Sequence, residues 1–325
     1  MTSLFVFASM AILGATTVLG IFTNCVIVSV NLTEKARGKA SLGSSDLILV
    51  TLGLSNIIFQ LVMTANDFLS LLWSQLYYSD EVYNTLNTLL FLPAYASFWF
   101  TVCLCVYYCL QIVIFTNPFL LRVKGEIPKL VPWFLVIAVL TAIAIGVPAF
   151  WSTYKDTPSG DLPNNQSLDT EVPKLNLTYL LASNIIGCSL PLVLVGISNG
   201  LILKSLVTRS KLMEKNTSSP RTEAKERAAR TVSLLLALYL VFYMSEIMMF
   251  VDLFPPSSPG FCICLMVIYI YSPAQSVILI LGSPKLKKAL QSLFQLLVCW
   301  KKKQMAKPNI LFITLPGSEG SRLPK

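Results

Sequence analysis

The chain of 325 residues contains no histidine. That absence excludes a Ser-His-Asp triad, His-ligated zinc or haem, and an HExxH site. Charge is scarce as well: 13% of the residues are Asp, Glu, Lys or Arg, against about 25% in a typical soluble protein. A surface this poor in charge does not face water throughout. The cysteines Cys25, Cys103, Cys105, Cys109, Cys188, Cys262, Cys264 and Cys299 show no paired C-x-x-C spacing of the kind that holds zinc. The reading is that this is not an enzyme and that it uses no metal or cofactor.

What the chain has instead is long uncharged runs. Residues 1–33, 47–66, 82–121, 130–154, 175–203 and 253–284 carry no charge, and 231–251 is interrupted only by Glu246. About 20 apolar residues cross a hydrocarbon core of ~30 Å as a helix, so each run spans once. The first run is too long for a cleaved signal peptide and lacks its basic start, so it counts as a retained helix. The expected fold is all-α, a seven-transmembrane helix bundle.

Orientation follows from the basic residues. Of 25 Lys and Arg, 23 lie in 33–46, 115–130, 204–230 and 283–325, and only Lys155 and Lys174 lie in the other connections. Cytoplasmic loops hold the positive charge, which places the N-terminus outside and the C-terminus inside; the expected location is the plasma membrane. Basic residues spread over four loops of one face form no nucleic-acid groove. They suit membrane lipid and a protein partner.

Residues 1–300 form one membrane domain. After Gly282-Ser283-Pro284, a stop and restart signal, Leu286, Leu290, Leu293, Phe294 and Leu297 recur at helical spacing. A short amphipathic helix at about 284–299 is expected on the inner surface, followed by a disordered tail, 301–325. Cys299 beside Lys301, Lys302 and Lys303 is the palmitoylation candidate, an unmodified tail cysteine being the alternative. Residues 152–175 are rich in Pro, Asn, Asp and Ser and read as irregular. Among the sequons at Asn31, Asn165, Asn176 and Asn216, two fall inside. Asn165 is the glycosylation candidate, and Asn176 lies close to the fifth helix.

Polar side chains within the runs point to helix partners or cavities. Asn24, Asn56, Gln275 and Ser276 either bond one another as packing glue or line a water or ion pocket. Glu246 stands alone in the outer half of the sixth helix. Either it is protonated and hydrogen-bonded, or it lines an outward-open cavity that attracts cations. Prolines 93, 132, 148, 191 and 273 kink or end their helices. These features leave receptor, pump and channel open, but a retinal pump needs a lysine that 253–284 lacks.

Local strings go further. Residues 278–287, ILILGSPKLK, resemble the end of helix 7 in type 2 (bitter) taste receptors. Residues 103–112, CLCVYYCLQI, are similar to the inner end of that family's helix 3. Leu190-Pro191-Leu192 with Lys204-Ser205-Leu206 resembles its helix 5, and Thr222-Glu223-Ala224-Lys225 running to Tyr243-Met244-Ser245 its helix 6. Gly20, Asn24 and Ile27 fit its helix 1. The D-R-Y, C-W-x-P and N-P-x-x-Y motifs of rhodopsin-type receptors are missing, and residues 151–178 hold no cysteine for their usual disulfide. The chain departs from the family at Asn56, usually arginine, at Gln111, usually lysine, and at Lys225 and Gln275, usually histidine.

The resemblance implies a G-protein-coupled receptor whose agonist is a small, mostly apolar bitter compound arriving from outside. The expected lining is Asn87, Leu90, Phe91, Ala94, Asn184, Phe242, Glu246, Met249 and Tyr269. Arg122, Lys124, Lys204, Arg209, Lys225, Arg227 and Arg230 are expected to face a heterotrimeric G protein of the gustducin-like or Gi type. Whether the receptor works as an oligomer stays open. The alternatives are a vomeronasal type 1 (pheromone) receptor and, from another class, a seven-span transporter or channel.

Overall fold

The computed structural model describes residues 2–36, 43–114, 117–154, 174–212, 220–251, 253–254 and 258–305. Among them, seven helices are long and apolar enough to cross a membrane. These are Met10–Thr33, Ser44–Leu72, Asp80–Ile112, Ile127–Trp151, Leu177–Thr208, Thr222–Met249 and Pro259–Gly282, hereafter spans 1 to 7. The seven-helix bundle expected from the uncharged runs is the architecture observed.

Span 3 runs through the middle, against spans 2, 4, 5 and 6, while span 7 packs between spans 1 and 6. The spans are apolar on nearly every side, so side chains such as Trp133, Ile137, Leu140, Val193, Ile197 and Val241 remain exposed. In hydrocarbon such faces are at home. With apolar residues all round, the hydrophobic pattern says little about which face turns inward. The polar residues decide it: Asn24, Asn56, Gln60, Thr101, Gln275 and Ser276 are all buried.

The helix Pro118–Gly125 joins spans 3 and 4 and is capped by Asn117, whose side chain accepts from the Phe119 N–H at 2.9 Å. The segment read as irregular is regular at its ends: Thr153 and Tyr154 pair antiparallel with Leu175 and Lys174. This ladder satisfies backbone groups at the mouth of the bundle, a signal too short for the sequence to show. Asn176 follows and caps span 5, accepting from the Thr178 N–H at 2.8 Å. Asn165 and Asn216 lie outside the described residues.

The helix after span 7 covers Pro284–Met305. It therefore continues through Lys301, Lys302 and Lys303, where a tail was expected, because lysine is a good helix former. Residues 306–325 lie outside the described residues. Lys285 at its start pairs with Asp46 at the start of span 2, at 3.4 Å.

Prolines shape the bundle through the carbonyls they leave behind. A helical proline has no N–H for the carbonyl four residues earlier. For Pro273 that carbonyl belongs to Tyr269, and Gln60 of span 2 donates to it through Nε2 at 3.1 Å. Gly20 of span 1 completes the junction, since a Cβ there would lie 3.2 Å from Gln60 Nε2 and 3.3 Å from Pro273 Cδ. In span 5, residues Ile185–Ser189 widen into a π turn just before Pro191. The wider turn moves the Gly187 carbonyl away from the proline ring. Tyr239 of span 6 donates to the Cys188 carbonyl of that turn at 3.0 Å.

Two consequences are measurable. Gln60→Ala leaves the Tyr269 carbonyl buried without a donor and should destabilise the purified protein by about 1–2 kcal/mol in thermal unfolding. In a Pro273→Ala background the new N–H serves that carbonyl, so the same change should cost less than half as much. Gly282→Ala should also destabilise, because the added Cβ would clash with Thr231 Oγ1 on span 6. Pairing it with Thr231→Ala removes the clash and should restore most of the lost melting temperature; no recovery would show that Gly282 matters for another reason.

Candidate functional site

Four spans meet around one set of neutral polar side chains. Asn56 Nδ2 donates to Gln275 Oε1 at 2.7 Å and to Asn24 Oδ1 at 3.3 Å, while Asn56 Oδ1 accepts from Ser97 at 2.7 Å. Gln275 Nε2 donates to Thr101 at 2.9 Å and to the Tyr271 hydroxyl at 3.1 Å. Asn24 Nδ2 donates to the Gly20 carbonyl at 2.8 Å and to Ser272 at 3.4 Å. Ser276 sits beside this set and bonds Thr23 at 2.6 Å. Asn24, Asn56 and Gln275 are thus brought into direct contact, and Ser276 joins through a different partner. Spans 1, 2, 3 and 7 are tied together without a formal charge.

Directly beside this network lies an aromatic floor. Phe98 stacks on Tyr239 at 4.7 Å between centroids, and Phe242 meets Tyr271 at 4.7 Å and Phe98 at 5.1 Å. The space left among Asn56, Phe59, Ala94, Ser97, Phe98, Phe242 and Tyr271 is a cavity of only about 10 Å³. That is at the lower limit for a single water. The floor is closed.

Further towards the end of the bundle away from the basic loops stands Glu246. Its Oε1 accepts from the Cys188 thiol at 3.6 Å. Its Oε2 is buried and has no hydrogen-bond partner among the described residues. No basic side chain among them lies within ion-pair distance. The π turn presents Cys188 to this carboxyl, and Gly187 makes the close approach possible, since a Cβ there would meet the Tyr95 ring of span 3 at 2.5 Å.

The other expected lining residues divide into two groups. Phe91 stacks on Tyr95 at 5.6 Å, and Phe242 belongs to the same apolar cluster. Asn184 accepts from Ser189, which also bonds the Tyr243 hydroxyl at 2.8 Å. Leu90 and Ala94 pack instead around Tyr269, with Leu13, Phe59 and Met63. Tyr269 is buried and turns towards spans 1 and 2, where its hydroxyl donates to Asp67 and to the Met63 carbonyl. Asn87 donates back to the Tyr83 carbonyl at 3.0 Å, and Met249 is half-buried near the end of span 6.

At the basic end, Arg122, Lys204, Arg227 and Arg230 are exposed and Lys225 is half-buried. Lys124 bends back to the carbonyls of Gln111 and Val113, both at 3.3 Å, where span 3 ends. Arg209 belongs to the helix Leu190–Leu212, but its side chain lies outside the described residues. Arg227 lines a notch of about 350 Å³ with Lys287, Lys288 and Gln291 of the amphipathic helix. Cys299 is exposed on that helix.

Sequence reasoning passed over Gln60, Ser97, Thr101, Cys188, Tyr239 and Asp67. Pro273 was the available signal for Gln60, because a proline in a spanning helix demands a donor from elsewhere. Small hydroxyls give no such signal, since they are usually satisfied within their own helix.

With the geometry in place, comparison with known proteins is direct. The family described as "Taste receptor protein (TAS2R)" matches residues 1–298. Taste receptor type 2 member 40 of Gallus gallus is 33% identical over 301 residues, which is 90% of this chain and 96% of that protein. Taste receptor type 2 member 119 of Mus musculus is 30% identical over 272 residues, 83% of this chain and 79% of its own length. Taste receptor type 2 member 9 of Homo sapiens is 27% identical over 290 residues, covering 88% and 93%. A seven-span bundle matched to this family over nearly its whole described length leads to one conclusion: the chain belongs to the TAS2R family of taste receptors.

Proposed function

We propose that the protein detects small bitter compounds entering from outside and passes the signal to a gustducin-like or Gi-type heterotrimeric G protein. The observation that carries this reading is the buried Glu246 Oε2 without a partner, beside Cys188 and above a closed aromatic floor. A buried carboxyl oxygen without a hydrogen bond is costly, and a ligand ammonium placed at Oε2 offsets that cost. Phe91, Phe242, Asn184 and Met249 surround the apolar body of the compound, with Asn87, Leu90 and Ala94 towards span 2.

The agonist favours the conformation to which it binds more tightly, and shifts the balance only by that difference. Opening at the basic end separates spans 5 and 6, offering Arg122, Lys204, Arg209, Arg227 and Arg230, with Lys225 and Lys124 at the margin. The notch of Arg227, Lys287 and Lys288 suits the headgroups of anionic membrane lipid. The N-terminus lies outside, Asn165 carries the glycan, and Cys299 carries the palmitate, in the plasma membrane.

Cells expressing the chain and challenged with a panel of bitter compounds should give a calcium or cAMP response that requires the G protein. Ligand-gated current without G protein would support a channel instead. In the same assay Glu246→Gln should raise the EC50 of cationic agonists about tenfold, the scale of one charge-assisted hydrogen bond. Neutral agonists should be unaffected; equal loss for both would make Glu246 a packing residue. For orientation, Asn165→Gln should abolish the shift in gel mobility produced by deglycosylation, and a shift that persists would move the glycan elsewhere.

A further inference from the structure

We propose that the crevice between spans 1, 2 and 7 is a second ligand site, built for a small lipophilic monocation, with Asp67 as its counter-charge. The crevice holds about 380 Å³, within the range of ligand pockets. It is separate from the Glu246 carboxyl, which lies between spans 5 and 6 and accepts from the Cys188 thiol. The proposal concerns binding and stands whether or not a ligand at Glu246 triggers a G protein.

Asp67 is the acidic wall of the crevice. Its carboxylate accepts from the Tyr269 hydroxyl, a buried group that also reaches the Met63 carbonyl at 3.3 Å. One hydroxyl stabilises the charge in part. Among the described residues, no basic side chain lies within ion-pair distance of Asp67. A half-buried carboxylate with a single donor and no cation has unmet demand for positive charge.

The remaining walls define the rest of the ligand. Leu13 is buried at the back, while Phe68 and Leu71, each 58% exposed, form the lip towards the gap between spans 1 and 2. Thr17 and Thr64 supply the polar groups beside Asp67, bonded to each other at 3.2 Å. One carboxylate among apolar walls fits one ammonium on an apolar body. A dication would bury an uncompensated charge, and a neutral compound would leave Asp67 as it was. An amphiphile of this class partitions into the bilayer, and the exposed lip lies where it would arrive.

The geometry also ties the site to the bundle. Tyr269 offers its hydroxyl to Asp67 and its carbonyl to Gln60, the donor that replaces the missing N–H of Pro273. A cation seated at Asp67 competes with that hydroxyl and so acts on the junction of spans 1, 2 and 7.

The test uses the full chain in nanodiscs of phosphatidylcholine, with 4-phenylbutylamine as the probe and 4-phenylbutanol as its uncharged counterpart. Binding is read from ligand-dependent shifts in thermal unfolding. All measurements are made on the Glu246→Gln background, so that Glu246 does not contribute charge selectivity. The amine should bind about tenfold more tightly than the alcohol, a modest ion pair at intermediate dielectric. Adding Asp67→Asn should bring the amine down to the affinity of the alcohol. Adding Leu71→Lys instead leaves Asp67 intact, places a tethered ammonium on the lip, and should weaken the amine selectively. No preference for the amine on the Glu246→Gln background would overturn the proposal. So would a preference that survives both added changes. Loss of signalling with amine preference retained would count against the receptor reading and leave this site standing.

Discussion

In hydrocarbon, a backbone carbonyl that loses its helical donor finds another donor within the protein or remains unsatisfied at a cost of several kcal/mol. Pro273 creates such a carbonyl at Tyr269, and the amide of Gln60 answers it from span 2. Much else follows from that one bond. Gly20 must lack a side chain for span 1 to come close, and Thr17 donates to the other end of the same amide at 3.3 Å. The backbone defect of one helix thus fixes the mutual approach of three.

The neutral network one turn along works by the same logic. Asn24, Asn56 and Gln275 each have donors and acceptors that meet partners on other spans, so no ion or proton is needed to complete the set. Asn24, Asn56 and Gln275 are amides, and an amide bonds in the same way at every physiological pH. The missing histidine therefore has a structural counterpart, a bundle whose central contacts do not titrate.

Most of the architecture was legible because hydrocarbon leaves few options: the uncharged runs fixed the spans and the stray amides marked the inner faces. Rotation of each helix was harder to read. Tyr269 was grouped with the residues around Glu246, yet it turns towards spans 1 and 2, because a run apolar on every side carries no moment to orient it. Asp67 follows the uncharged run 47–66 and is also a wall of a crevice. The π turn before Pro191 has no signature of its own beyond the proline. Cys188 could be placed opposite Glu246 only once the widened turn was seen.

The two-residue ladder between Thr153–Tyr154 and Lys174–Leu175 has a further meaning. It brings together the two ends of the segment 155–173 before that segment begins, as a covalent bridge does in other receptors. The chain between the two rungs is then a closed loop whose length enters the free energy only logarithmically, with each doubling costing about 0.6 kcal/mol. Insertions, deletions and wholesale changes of composition can accumulate there while the helices keep their register. The stretch between the rungs can thus change in length without a compensating change in the bundle beneath it.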